Sequence, residues 1–335
     1  MNANSGAARA AGLLAGYALD VALGDPQRHH PVALFGTAAR RLEQRVHADS
    51  RAVGAGYTAA LVGGTFLGTA AVQLATQRAV GALAPSGPRR GPERGPRRGR
   101  PAAEFLTVAT ATFVALGGTS LVREGDEMAR LLESGDVPGA RRRLSHLCAR
   151  DATDLTPDDL ARATVESLAE NTSDAVVAPL VWGAVLGAPG LLGYRAANTL
   201  DAMVGYRSER YRSFGWASAR LDDLLNLLPA RLAALLVFVV TGRREALSVW
   251  RRDARLHPSP NAGPVEAATA GALGVRLGGT NTYDGEAEAR GVLGDGRPVE
   301  VRDVARANRL SRQVSAAAVL VAAGTALAIG RRGRE

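Results

Sequence analysis

The sequence predicts an all-α protein: a polytopic integral membrane helical bundle with soluble helical and loop inserts. Three observations carry that expectation. Six apolar segments recur along the 335 residues, and several reach the roughly 17–25 residues needed to cross a bilayer. The apolar mass is 46% of the chain and is mostly Ala, Val, Leu and Gly, with aromatics at only 4%; small residues suit close helix–helix contact in lipid. The charges gather in the stretches between these segments.

The elements follow in order. Segment 7–23 carries Asp20 and lacks a clear small-residue cleavage site, so it does not read as a cleavable signal peptide. Segment 55–84 runs into "PSGPRRGPERGPRRGRP" at 85–101, an Arg/Pro/Gly-rich insert with no core-forming residue, expected to be a disordered linker. Segment 103–122 contains "FLTVATATFVALGGTSLV" (Phe105–Val122), which has no charge. Residues 123–170 read as soluble helices. In "DLTPDDLARATVESLAEN", Thr156 is placed to cap a helix, Pro157 to take its first position and acids to fill its first turn. Segment 175–200 is interrupted by Pro179, Gly183, Gly187, Pro189 and Gly190, so it either spans or re-enters. Segment 224–241 is broken by Arg231. Residues 242–313 are polar, and "GGTNTYDGEAEARG" within them reads as turns or a short hairpin. Segment 314–330, "VSAAAVLVAAGTALAIG", is again free of charge. Buried helices of a soluble protein are the competing reading, but several charge-free runs of this length favour a membrane. Residues 1–335 are expected to form a single membrane-embedded domain around the 85–101 insert.

Composition excludes some chemistries. The formal net charge is +9, and all 41 basic residues are Arg. Without lysine there is no P-loop and no pyridoxal-phosphate Schiff base. A lone cysteine, Cys148, removes disulfides and Cys-based metal sites, and the five His show no metal-ligand spacing. If all six segments span, the loops on one side hold 24 Arg and those on the other 14, which puts the first set, 24–51, 123–174 and 242–313, in the cytoplasm.

Four polar stretches are candidates for function. In "ESLAENTSDAVVAPL" (166–180), a continuous helix over Thr156–Asp174 would bring Glu166, Glu170, Ser173 and Asp174 within an arc of about 100°. Carboxylates so close are unfavourable without a cation between them, and Mg²⁺ accepts one or two carboxylates with phosphates completing its shell. Glu166, Glu170 and Asp174 are therefore candidate metal ligands; a solvated helix end with local caps is the alternative. "NTLDAMVGYRSERYRSFGWASARLDDLLN" (198–226) interleaves Arg with Asp, Asn, Tyr and Trp. Its Arg207, Arg210 and Arg212 suit phosphate or carboxylate anions, with Asn198 and Asp201 beside them, while anionic lipid is the competing partner. Asp222 and Asp223 are candidates for a base, a second metal site or a structural pair with Arg220. "HPSPNAGPVEAATAGALGVRLGGTNTYDG" (257–285) joins a tight turn to a small-residue helix whose first N–H groups would bind an anion, with Asn261, Asn281 and Tyr283 as substrate contacts. "GDPQRHHPVALFG" (24–36) supplies His30 as a candidate base, although a His at a turn is usually structural.

Together these stretches, in this order and approximate spacing, resemble the adenosylcobinamide-phosphate synthase (cobinamide synthase, CobD/CbiB) family of cobalamin biosynthesis. The resemblance covers nearly the whole chain except 85–101 and the two ends. Pro264 and Thr280 depart from the residues expected there. It implies a multi-pass enzyme of the cytoplasmic membrane. The enzyme would join adenosylcobyric acid to (R)-1-amino-2-propanol or its O-phosphate as an amide, using ATP and Mg²⁺. Implied partners are the corrinoid, the aminopropanol, membrane lipid and other enzymes of the pathway. A carrier or transporter that binds a corrinoid without ligating it is the rival class. Nucleic acid is not an expected partner, because the basic stretch 85–101 has no aromatic residue on which a base could stack.

Overall fold

Long runs of Ala and Leu with few internal breakers become helices, and helices make up nearly all of the computed structural model. It describes residues 3–24, 30–83, 99–206, 208–283 and 286–332, and of 3, 83, 280–283 and 286–289 the backbone alone. Most of the 85–101 insert, together with Arg207, lies outside the described residues.

In chain order the elements are α1 (Ala3–Leu23), α2 (Pro31–Val46), α3 (Arg51–Leu83), α4 (Arg100–Ala115), α5 (Gly118–Glu133), α6 (Val137–Leu144), α7 (Pro157–Thr172), a π turn (Ser173–Val177), α8 (Ala178–Val204), α9 (Trp216–Thr241), α10 (Arg244–Asp253), a 3₁₀ turn (Ala254–Leu256), α11 (Ala262–Leu273), strands β1 (Leu277–Tyr283) and β2 (Glu286–Leu293), and α12 (Arg302–Arg332). Five helical stretches are long and apolar enough to cross a membrane: Arg51–Ala82, Arg100–Glu133, Pro157–Val204, Trp216–Thr241 and Arg302–Arg332. They contain five of the six predicted segments, and by length and composition the chain is a multi-pass membrane protein. The remaining segment, 7–23, does form α1 but is not among the five; Arg9 and Asp20 lower its hydropathy.

The chain divides into two compact units. The first comprises Met1–Leu116, Ala178–Leu225 and Val319–Glu335. Here α1 packs on α4 through glycines. A Cβ on Gly12 would come within 2.9 Å of the Phe105 carbonyl, so the backbones approach as closely as small residues allow. The predicted interruption of 175–200 is real: Gly187 has φ +71° and ψ −156°, and α8 kinks there. That break exposes the carbonyls of Ala184 and Val185. Arg9 of α1 donates to both, at 3.2 and 2.8 Å, and its Nε donates to Glu104 of α4 at 2.7 Å. Gln73 of α3 donates to the other Glu104 oxygen. Orphan carbonyls of a broken apolar helix are thus satisfied by a buried side chain.

The second unit comprises Gly117–Val177 and Asn226–Ala318. Helix α7 begins as the sequence predicts. The Thr156 hydroxyl accepts from the Asp159 N–H, the Asp159 carboxylate accepts from the Thr156 N–H, and Pro157 holds the first position. The expected hairpin is β1–β2, antiparallel, with an irregularity between Leu277 and Gly279. A continuous helix to Asp174 is corrected: α7 ends at Thr172 and a π turn follows, a wider coil that often marks functional sites. The Thr172 and Ser311 hydroxyls, 2.6 Å apart, tie that end to α12.

Candidate functional site

Glu166 sits in the buried face of α7, 3% exposed. Its Oε2 accepts from Arg150 Nη2 at 2.6 Å, and its Oε1 accepts from the Gly278 N–H at 2.8 Å and from Arg162 Nη1 at 3.3 Å. Arg162 Nη1 also donates to the Gly278 carbonyl at 2.6 Å. One acid and one base on adjacent turns of α7 therefore grip both backbone groups of Gly278 and fix the start of the hairpin. Gly278 needs to be glycine: its φ is +79°, and a Cβ would collide with the Gly291 carbonyl.

Behind this grip lies a second acid. Glu266 belongs to α11, whose sequence is otherwise Ala, Gly, Val, Thr, Pro and Leu, and it is 0% exposed. Neither of its carboxylate oxygens has a hydrogen-bond partner. His257 Nε2 stands 3.6 Å from Glu266 Oε1. The Ser259 N–H donates to His257 Nδ1 at 3.0 Å, which leaves the ring proton on Nε2, facing the acid. Arg290 Nη1 reaches 3.4 Å from the same Nε2. Burial pushes the Glu266 carboxyl well above the usual range, and the nearby charges of Glu166 and Glu170 add to the shift; Arg290 and Arg150 oppose it.

Glu170, one turn beyond Glu166, feels Arg290, Glu166 and Arg150. It is exposed to solvent. Cys148 lies in the preceding loop, where burial raises its thiol. Asp253, at the end of α10, accepts from Arg252 at 2.7 and 2.8 Å and from the Gly294 N–H at 2.8 Å; the Arg252 guanidinium holds its carboxyl below the usual range.

The remaining predicted residues divide between the units. In the second, Asp174 lies on the π turn that follows α7. Among the described residues no group of three or more His, Cys, Asp or Glu is arranged to hold a metal ion. Glu166 is already engaged by two guanidiniums and a backbone N–H. The expected anion site at the start of α11 is corrected as well: the Ser259 hydroxyl accepts the Asn261 and Ala262 N–H groups at 3.3 and 3.2 Å. Asn261 itself is buried and accepts from Arg231 Nη1 at 3.1 Å. The side chains of Asn281 and Tyr283 lie outside the described residues.

In the first unit, Asn198 donates to Asp222 Oδ1 at 3.3 Å and accepts from Arg195 at 3.2 Å. Asp222 is buried, and Asp223 lies 3.8 Å from Arg220. Asp201 accepts the Gly205 N–H through its backbone carbonyl. Arg210 donates to the buried Glu43 at 2.7 Å, where the Tyr211 hydroxyl also donates, and Arg212 is exposed. His30 caps α2, its Nδ1 accepting the Val32 N–H at 3.2 Å.

Sequence reading missed Glu266, His257, Arg150, Arg162 and Arg290. A signal existed at Glu266, because an ionisable residue inside an apolar small-residue helix defaults to function. The Arg residues carried none, each being one among 41.

A membrane bundle carrying a buried acid–guanidinium cluster in its polar unit defines a membrane protein with a site for polar chemistry. The chain belongs to the CobD/Cbib protein family, whose model matches residues 13–311. It is 51% identical over 327 residues to "Cobalamin biosynthesis protein CobD" of Mycobacterium tuberculosis, covering 96% of this chain and 97% of that one. Proteins of the same name from Stutzerimonas stutzeri and Chromobacterium violaceum are 42% and 40% identical, over 86% and 87% of this chain and 88% of each relative. No solved structure matches the chain. Its place is thus in cobalamin biosynthesis, as the resemblance implied.

Proposed function

We propose that the protein is an ATP-dependent acid–amine ligase that joins adenosylcobyric acid to (R)-1-amino-2-propanol or its O-phosphate, giving adenosylcobinamide or its phosphate. The observation that carries this reading is the gathering of Glu166, Glu170 and Glu266 with Arg150 and Arg290 in the second unit of a cobalamin-biosynthesis family member. A transporter would string its ionisable groups along a path through the bundle. Here Glu166, Glu266, Arg150 and Arg290 gather within the second unit.

A carboxylate and an ammonium do not condense at neutral pH. ATP would activate the acid as an acyl phosphate, and amine attack would expel phosphate. The protein's tasks are to bind anions, hold the two reactants and move protons. Exposed Arg212 and half-engaged Arg210 would bind phosphate or corrin carboxylates, with Arg207, Asn198 and Asp201 alongside. Asp222 and Asp223 remain candidate bases, whereas His30, whose Nδ1 accepts the Val32 N–H, carries its ring proton on Nε2 and offers no lone pair there. The acids do not form a metal cage, so Mg²⁺ belongs to the nucleotide in this reading, held by its phosphates with Glu170 or Asp174 as a further oxygen ligand.

The test is amide formation by the purified, detergent-solubilised protein given adenosylcobyric acid, Mg²⁺–ATP and aminopropanol or its phosphate. Corrinoid product and ADP appearing together establish the ligase. Corrinoid binding without product or ADP replaces it with a carrier. A Glu170→Ala variant as active as the parent removes Glu170 from the site.

A further inference from the structure

An enclosed carboxyl without one hydrogen bond destabilises the fold, and more so when ionised. Glu266 is in that state, on a helix with ample apolar alternatives. Its neighbours are arranged around it rather than on it. The Ser259 N–H fixes the His257 tautomer, so Nε2–H points at Glu266, yet the gap of 3.6 Å leaves room for adjustment. The Arg290 guanidinium stands 3.4 Å from that same Nε2. Arg290 is half-buried and so reaches outward. A cation, the Arg290 guanidinium, therefore already stands beside the histidine that faces Glu266. Among the described residues no three His, Cys, Asp or Glu are placed to hold a metal ion. What suits a lone enclosed carboxylate is an organic cation with several N–H donors.

We infer that Glu266, oriented by His257, is the receptor for the ammonium group of the amine substrate and the base that takes its proton. This rests on the ligase reading and deepens it. The ammonium donates to the Glu266 carboxylate. One proton passes from nitrogen to Glu266 and frees the lone pair. The C–N bond forms, the C–O bond to phosphate breaks, and the second nitrogen proton leaves with the phosphate. Glu170, close enough to influence Glu266 and open to solvent, returns the first proton to water. Glu266 is thus a catalytic residue and His257 a positioning residue.

The experiment compares two nucleophiles in the purified protein with adenosylcobyric acid and Mg²⁺–ATP. Aminopropanol is a cation at neutral pH and must lose a proton to react. Hydroxylamine, a far weaker base, is uncharged and needs no receptor for a cation. In the Glu266→Gln variant, amide formation from aminopropanol is expected to fall about 10²–10⁴-fold, the usual worth of a positioned base, while hydroxamate formation stays within a few-fold of wild type. Thermal unfolding of the variant serves as the fold control. Glu266→Gln removes an unsatisfied charge at constant volume and is expected to unfold no earlier than wild type. His257→Gln is expected to lower the amide rate less than Glu266→Gln and to shift its pH profile. Equal loss with both nucleophiles, or loss with neither, overturns the proposal and leaves the ligase intact. A wild-type protein that makes neither amide nor hydroxamate overturns the ligase reading and this proposal with it.

Discussion

Glu104 and Glu266 are both enclosed glutamates on apolar helices, one in each unit, and their surroundings differ in kind. Glu104 receives Arg9 on one oxygen and Gln73 on the other, and Arg9 spends its remaining donors on the carbonyls freed by the α8 kink. Glu266 receives no hydrogen bond at all. Burial alone therefore says little about what an ionisable residue is for. A buried charge whose every partner is present is a structural joint, and removing one side leaves the other stranded. A buried charge left unsatisfied lowers stability and is retained where chemistry needs it.

The comparison can be broken most sharply at Arg9. Arg9→Ala strands Glu104 and two carbonyls, and is expected to cost about 3–5 kcal/mol in denaturant or thermal unfolding in detergent. The double variant Arg9→Met, Glu104→Met should recover much of that loss. If the double variant is as unstable as the single one, the joint is not an ion pair in energetic terms.

Gly187→Ala tests the same joint from the backbone. The residue has φ +71°, and a Cβ there would lie 3.1 Å from both Arg9 Nη2 and Glu104 Oε1. The expected cost is about 1–3 kcal/mol, read as a lower unfolding midpoint.

Glu266 should respond with the opposite sign. Its folded-state carboxyl is raised, so between the ordinary carboxylate range and that raised value the native state binds more protons than the unfolded one. Wild-type stability therefore falls as pH rises through that window and levels off above it. The groups facing Glu266 are His257, Glu166, Glu170, Arg150 and Arg290, and they remain in the variant. Glu266→Gln is expected to flatten the slope across this window in a pH series of unfolding midpoints. A slope unchanged by the substitution removes Glu266 as its cause.

The smallest effect is at the entry to α7. Thr156→Ala removes one half of a reciprocal cap on an exposed helix end and should cost about 1 kcal/mol without altering ligation. A larger loss of activity than of stability would show that the placement of Glu166 depends on that cap.

Local and periodic features were legible in the sequence. Charge-free runs such as Phe105–Val122 announced helices for a membrane, the Thr156–Pro157–Asp159 pattern announced a cap, and the glycines and prolines of 183–190 announced a break. These need only near neighbours to take effect. The π turn at Ser173 has no comparable residue signature. The grip of Glu166 on Gly278 joins residues 112 apart, and no local pattern encodes such a pairing. Glu266 was visible as a lone acid in "VEAATAGAL", but its missing partners emerge only once the chain has closed around it.

The thiol of Cys148 has a practical consequence. It is half-buried, desolvation raises its pKa and so disfavours the reactive thiolate, and it is the chain's single cysteine. The chain also lacks lysine, so maleimide or thiol–disulfide reagents meet little competition from its own nucleophilic side chains. A cysteine placed in any loop becomes an almost background-free reporter. A membrane-impermeant label applied to cells, loop by loop, then reads out which face of the bilayer each polar stretch occupies.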